Sequence, residues 1–260
     1  MKLFLLLTTL LMGCLPAYAA DPLKVIYGIY TSGFNVVDID GTYVIGKDTY
    51  DLEMDMKTVG MLGTLAPWAG VIDSNGMYDQ EKSKPLQYSF ASKWRGKVET
   101  TNFVFGKNGK LTSHILIDED GNTHDKMPAT EVYADNPVDM LSAMFRAAHG
   151  KTCESVHPVM DGKRRFDMVF RSVGKDVRKK NRYSIFSGET EICEVEIVPV
   201  AGKWRDKPRG WMSIQGQAKE NGQLPRLWFG KVRDDLPPIP VRFMIKTNYG
   251  TMLMHLKGVE

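Results

Sequence analysis

The chain has 260 residues, with 34 Lys and Arg against 31 Asp and Glu, a net charge of +3. That near-balance excludes recruitment of a bulk polyanion by net charge alone. Hydrophobic and charged fractions of 43% and 25% are those of a folded globular chain, which excludes disorder over most of its length.

Residues 1–19 read as a signal peptide. Lys2 gives a positive start, Leu3 to Gly13 an apolar run, and Ala17-Tyr18-Ala19 a small-x-small cleavage site. The mature chain then begins at Ala20 or Asp21, and the expected compartment is the periplasm. Export sets aside nucleic acid and cytosolic cofactors as partners. A competing reading takes Leu11-Met12-Gly13-Cys14 as a lipoprotein box with Cys14 acylated, but Met12 stands where small residues are usual. The run is shorter than the roughly 20 residues that span a bilayer, so an integral membrane protein is not expected. With the leader removed, Cys153 and Cys193 remain, and in an oxidising compartment they read as one disulfide. Closing that loop would stabilise the fold by roughly 3–4 kcal/mol on the chain-entropy model. No C-x-x-C spacing points to a redox centre, and two cysteines alone are too few for a metal site.

In chain order, most segments read as β. Val25 to Tyr30 and Phe34 to Ile39 flank a turn at Thr31-Ser32-Gly33. Tyr50, Leu52, Met54 and Met56 alternate with charged residues, the period of a strand with one wet face. Asp73-Ser74-Asn75-Gly76 predicts a turn. Tyr88 to Phe90 and Val98 to Phe105 read as strands joined near Arg95-Gly96, and Asn108-Gly109 turns the chain into Leu111 to Ile117. One helix is predicted from about Pro137 to Ala148. Asn136 is its expected cap, Val138, Leu141, Met144, Phe145 and Ala148 its apolar face, and Gly150 its stop. Asp161-Gly162 then separates Val156 to Met160 from Arg165 to Arg171. Tyr183 to Phe186 is expected to pair with Ile192 to Val200, and Leu227 to Val232, Val241 to Thr247 and Thr251 to Leu256 close the chain. Frequent short strands and one helix predict a mainly β fold: an open or spiral antiparallel β-barrel with one main α-helix packed on or in it. No linker divides residues 20–260, so one domain is expected.

The chain resembles an uncharacterised periplasmic family of proteobacteria. The resemblance is carried by the leader, Tyr27 and Tyr30 in the first strand, and the loop Val59-Gly60-Met61-Leu62-Gly63. It continues with Asp135 to Ser142 opening the helix, Leu227-Trp228-Phe229, Pro240-Val241-Arg242, and the last strand from Gly250 to Leu256. It implies a large open β-barrel related in shape to lipoprotein carriers. A sister group of envelope-integrity proteins is similar, with a spiral barrel and a disulfide. The resemblance implies a fold and a compartment and supplies no catalytic residues.

Three candidate sites follow. The apolar loop Val59 to Trp68 offers Met61, Leu62, Leu65 and Trp68 as a lid or lining for acyl chains or a lipidated partner; the competing reading is a loop folded into the core. The stretch Lys163 to Arg182, with Arg164, Arg165, Arg178, Lys179 and Lys180, could meet anionic envelope surfaces; the competing reading is a solvated hairpin tip. Trp204 to Trp211 mixes aromatic and basic groups as interfacial anchors do, or is an ordinary loop. The histidines are scattered without metal spacing, and no G-x-S-x-G is present, so neither a metal, a cofactor nor a catalytic residue is expected. The leading expectation is a non-enzymatic envelope protein binding a lipidic ligand or a lipoprotein. A surface-acting integrity scaffold and an envelope hydrolase are the alternatives.

Overall fold

The computed structural model describes residues 21–78, 83–127, 130–133, 135–149, 153–204, 211–248 and 250–260. The leader, Cys14, the Gly150 stop and most of the Trp204 to Trp211 segment lie outside the described residues. The first half builds β1 (Leu23–Thr31), β2 (Phe34–Ile45), β3 (Thr49–Thr58), α1 (Gly60–Leu65) and β4 (Trp68–Tyr78). It continues with β5 (Ser83–Trp94), β6 (Lys97–Phe105), β7 (Leu111–Ile117) and β8 (Thr123–Asp125). Helices α2 (Thr130–Tyr133) and α3 (Met140–His149) lead into β9 (Glu154–Met160), β10 (Arg164–Arg178) and β11 (Gly188–Gly202). The chain ends with α4 (Trp211–Glu220), β12 (Arg226–Gly230), β13 (Ile239–Thr247) and β14 (Gly250–Val259).

The fourteen strands form one sheet in the order β8-β7-β6-β5-β4-β3-β2-β1-β14-β13-β12-β11-β10-β9. Apart from β8 and β9, strands adjacent in sequence pair antiparallel, and β1 pairs β14, which joins the two halves. Among the described residues, the ends of the sheet, β8 and β9, do not pair, so the barrel is open. Ser32 and Gly33 both have positive φ (51° and 84°), as do Arg95 and Gly96 (50° and 91°). Two-residue turns of that kind match the twist of the strands they join.

Helix α3 lies inside the curl. Its Ser142 meets Tyr50 on β3 and Ser74 on β4, its Arg146 meets Ser83 on β5, and its small face packs on β9 at the far edge. One helix can touch both regions only if the sheet wraps around it. Ala143, Ala147 and Ala148 join Cys153, Cys193, Phe166, Met168 and Phe170 in one core cluster. Phe145 reaches into a second, with Tyr50, Leu52 and Val25. Phe145 stacks on Tyr50 at 4.7 Å between centroids. The Cys153–Cys193 disulfide ties the start of β9 to β11, with Cα atoms 5.1 Å apart. Such a bond belongs to an oxidising environment.

The helix begins later than the sequence suggests. Asn136 has φ of 51° and does not cap it. Val138 instead pairs in parallel with Val159, donating to Pro158 O (2.9 Å), and so covers part of the exposed β9 edge. The cap is Asp139, whose Oδ1 accepts from Ser142 N–H (2.9 Å) and whose Oδ2 accepts from Ser142 Oγ–H (2.6 Å). Ser142 Oγ also lies 2.7 Å from Tyr50 Oη and 3.1 Å from Ser74 Oγ. Asp139, Ser142 and Ser74 are all fully buried. Burial pushes the Asp139 carboxyl up and the Tyr50 phenol well up, while Arg146 nearby favours their charged forms.

Three further expectations are corrected. Asp73-Ser74-Asn75-Gly76 is the middle of β4, not a turn. Ser74 points inward to Ser142, and a register shift falls between Asn75 and Gly76. A Cβ on Gly76 would lie 2.7 Å from Tyr50 Oη and 2.3 Å from Lys84 O, so the glycine there makes room at a bulge. Tyr183 to Phe186 is not a strand of the sheet; it carries one isolated bridge, Asn181 to Ser184, while β11 pairs β10 and β12. Helix α4 has no counterpart in the sequence reading. Past Val195, β11 runs beyond the reach of β12, and the Gln215 side chain of α4 takes over. It accepts from Ile197 N–H (2.7 Å) and donates to Ile197 O (2.9 Å). That need is tertiary and leaves little apolar periodicity to read.

Two measurements check this packing. Asp139→Ala removes a cap and strands Ser142 in the core, and should cost about 2–4 kcal/mol in urea unfolding, against about 1 kcal/mol for Tyr50→Phe. Equal effects would contradict the central place given to Asp139. The second concerns histidines held neutral. Burial, then Arg146, lowers His157 from 6.5 to about 4; burial, then Arg242 and Arg178, lowers His255 to about 4. Because the unfolded chain takes up these protons first, this stabilisation is complete above about pH 6.5 and is lost as the pH falls toward 4. The melting temperature should fall across that window, and less steeply in His255→Phe.

Candidate functional site

The space inside the curl is not filled evenly. Toward β3, β4 and β5, α3 packs against the wall. Toward β1, β2 and β10 to β14 a cavity of about 370 Å³ remains. Strand alternation builds its wall: Phe166 and Met168 on β10, Val195 and Ile197 on β11, and Ile39 and Tyr43 on β2 point the same way. Met54, Leu227, Phe243 and Met254 continue it, α3 adds Met140 and Met144, and α4 adds Trp211 and Met212.

Six methionines therefore face one space: Met54, Met140, Met144, Met168, Met212 and Met254. Thioether chains are flexible and polarisable, so such a wall can adapt to an irregular apolar guest. Tyr27 and Tyr43 lie on the same wall with hydroxyls 3.5 Å apart. Burial holds both phenols neutral, Tyr27 well above its usual value and Tyr43 at about 12. They offer hydrogen bonds and no charge.

Among the described residues, charge enters the lining at the β9–β10 turn. Asp161 and Arg164 line the cavity and pair at 2.5 Å, and Arg164 lies over the Trp204 ring at 4.8 Å. The same turn is the wall of a second, more polar pocket of about 390 Å³, with Tyr88, Thr101, His114, Lys126 and Lys163 around it. A Cβ on Gly162, which has φ of 85°, would meet His114 Cε1 at 2.6 Å, so this turn packs tightly on β7. The arrangement can hold an apolar chain inside and a polar end at the turn. Among the described residues, no three His, Cys, Asp or Glu side chains gather as a metal site. His124 pairs with Asp118 at 2.7 Å.

The structure separates the residues expected as a lipid lining from this cavity. Met61, Leu62 and Leu65 stand on α1, 80%, 38% and 68% exposed, and do not line it. The reason is local: residues 60–65 coil into a short helix at the tip of the β3–β4 hairpin, with no buried face. Trp68 is half-buried, donates Nε1–H to Ser92 Oγ (3.0 Å), and borders a shallow pocket beside Lys93 and Arg95. The basic stretch is not one surface either. Arg164 is at the cavity turn, while Arg165 is largely covered on the other face of β10, near Asp135 (3.4 Å) and Asp167 (3.8 Å). Arg178 pairs with Asp176 at 2.8 Å and, with Lys179, borders a small pocket at Arg242 and His255. Lys180 is exposed. Of the mixed aromatic segment, Trp204 and Trp211 both line the main cavity.

Sequence reasoning missed the methionine wall. Its traces were there: fifteen methionines in the chain, Met140 and Met144 one helical turn apart, and Phe166, Met168 and Phe170 in alternation. Each reads equally well as packed core. Only the placement of α3 decides which inward face stays uncovered.

No curated protein matches the sequence. Among solved structures, a beta-barrel-like protein of the domain of unknown function DUF1849 from Brucella abortus aligns with a TM-score of 0.49 at 11% identity. The alignment covers 93% of this chain and 98% of that one. Residues 24–257 match the family described as "Protein of unknown function (DUF3108)", a span running from β1 through β14. The chain belongs to this DUF3108 family, here built as an open antiparallel barrel around one capped helix.

Proposed function

We propose that this is a non-enzymatic, exported protein of the cell envelope that binds an apolar chain, from a lipid or a lipidated protein, inside its barrel. The observation that carries the reading is the cavity of about 370 Å³ walled by six methionines and by aromatic rings. Its size falls in the range of small-molecule sites, about 300–1,000 Å³. The Asp161–Arg164 turn at its margin suits the polar end of an amphiphile. Export is supported by the leader pattern in residues 1–19 and by the buried disulfide, which needs an oxidising compartment. The hydrolase reading draws no support from Ser142. Its hydroxyl is fully buried and shared among Asp139, Tyr50 and Ser74.

The test is a titration with a fluorescent long-chain fatty acid. The wild-type protein should bind it saturably. Met144→Trp fills part of the cavity and displaces about two methylenes of guest, so affinity should fall about tenfold. Met61→Trp, on the exposed tip, should bind like wild type. No saturable binding, or equal affinity in Met144→Trp, would remove the proposal.

A further inference from the structure

The tips of three neighbouring hairpins share an unusual composition. In this up-and-down sheet every connection from an odd to an even strand lies at one end. That end holds the β1–β2, β3–β4 and β5–β6 tips, and also the β9–β10 turn and α4 at the cavity. The three tips expose Phe34 (75%), Met61 (80%), Leu65 (68%) and Trp94 (47%). Residues 31–37, 57–72 and 90–98 contain no aspartate or glutamate, yet carry Lys57, Lys93, Arg95 and Lys97.

The tips form one continuous surface. Val59 N–H donates to Val36 O (3.0 Å), joining α1 to β2, and Arg95 N–H donates to Pro67 O (3.2 Å), joining the β5–β6 turn to the end of the α1 segment. Thr58 Oγ1 accepts from Trp68 N–H (2.9 Å) and donates to Ala66 O (3.0 Å), which fixes α1 on its hairpin. The apolar groups are therefore held outward by structure. Arg95 lies over the Trp94 ring at 5.7 Å, a cation beside an aromatic ring. The patch ends at the β7–β8 tip, where Glu119 pairs with Lys97 at 2.6 Å.

We infer that this three-tip rim docks on an anionic lipid bilayer, with Phe34, Met61, Leu65 and Trp94 entering the interface and Lys93 and Arg95 contacting lipid phosphates. Charge complementarity selects the occupant. Exposed aromatic and aliphatic groups backed by cations are the chemistry of interfacial anchoring, and each basic group near an anionic surface adds to it. A second copy of the chain would set Lys93 and Arg95 of one molecule against those of the other, and Glu119 at the border is already paired with Lys97. The inference does not need the cavity to be occupied. It also places the α4 end of the barrel toward the membrane.

Flotation of the purified protein with vesicles tests it. Vesicles of phosphatidylcholine with phosphatidylglycerol should carry the protein upward, and vesicles of phosphatidylcholine alone should carry far less. Phe34→Ser/Met61→Ser/Leu65→Ser should weaken binding to the anionic vesicles about tenfold or more, and Lys93→Ser/Arg95→Ser should do so by a similar factor. Met144→Trp, which fills the cavity, should float like wild type and so separates docking from chain binding. All the docking changes are at exposed side chains, and the melting temperatures should match wild type. Equal flotation on both vesicle types would overturn the inference, as would wild-type flotation by both tip variants. Loss of flotation in Met144→Trp, or tip variants that dissolve a dimer while the wild type ignores vesicles, would also overturn it.

Discussion

A carboxylate sealed from water organises this molecule. Asp139 caps α3 from inside the sheet, and through Ser142 it is joined to Tyr50 and Ser74 on two different strands. A buried polar group is tolerable only when its partners are all in place. That requirement fixes the helix in height and rotation against β3 and β4. Arg146, one turn further on, donates to Ser83 on β5 and extends the same anchoring. An apolar stripe alone would let the helix slide; this network does not.

The position of α3 decides what the rest of the interior can be. A fourteen-stranded curl encloses more volume than one ten-residue helix fills. Because the network holds α3 toward β3, β4 and β5, the space next to β1, β2 and β10 to β14 is left to side chains, and those side chains are long, flexible and mostly methionine. The disulfide and the alanine face of α3 secure the strands on the other side, so the cavity has firm walls with a compliant surface. Gln215 plays a matching part at the α4 end, supplying two hydrogen bonds to Ile197 of β11 where β12 has ended.

Much of the fold was legible in the sequence because strands and tight turns are local. The alternation from Tyr50 to Lys57, the Arg95-Gly96 and Asn108-Gly109 turns, and the Asp161-Gly162 break all stand where the pattern places them. What was not legible depends on contacts between distant segments. Asp73 to Gly76 carries turn chemistry, yet is a bulged strand because Tyr50 and Ser142 sit against it. The helix cap moved from Asn136 to Asp139 because Val138 is claimed by the β9 edge. The same holds for the site. Met61, Leu62 and Leu65 look like a cavity lining in one dimension and form an outer rim in three. Arg164 alone, of the five basic residues singled out, borders the main cavity.

The cavity and the exposed rim lie at the same end of the barrel, so a chain leaving a bilayer would have a short path inward. The measurement that bears most directly on the account is methyl NMR of methionine-labelled protein during titration with a long-chain amphiphile. Signals of Met54, Met140, Met144, Met168, Met212 and Met254 should shift together and saturate at one equivalent, while exposed Met77 stays unmoved. Shifts confined to Met61 and other exposed methionines, with the six cavity signals unchanged, would contradict it.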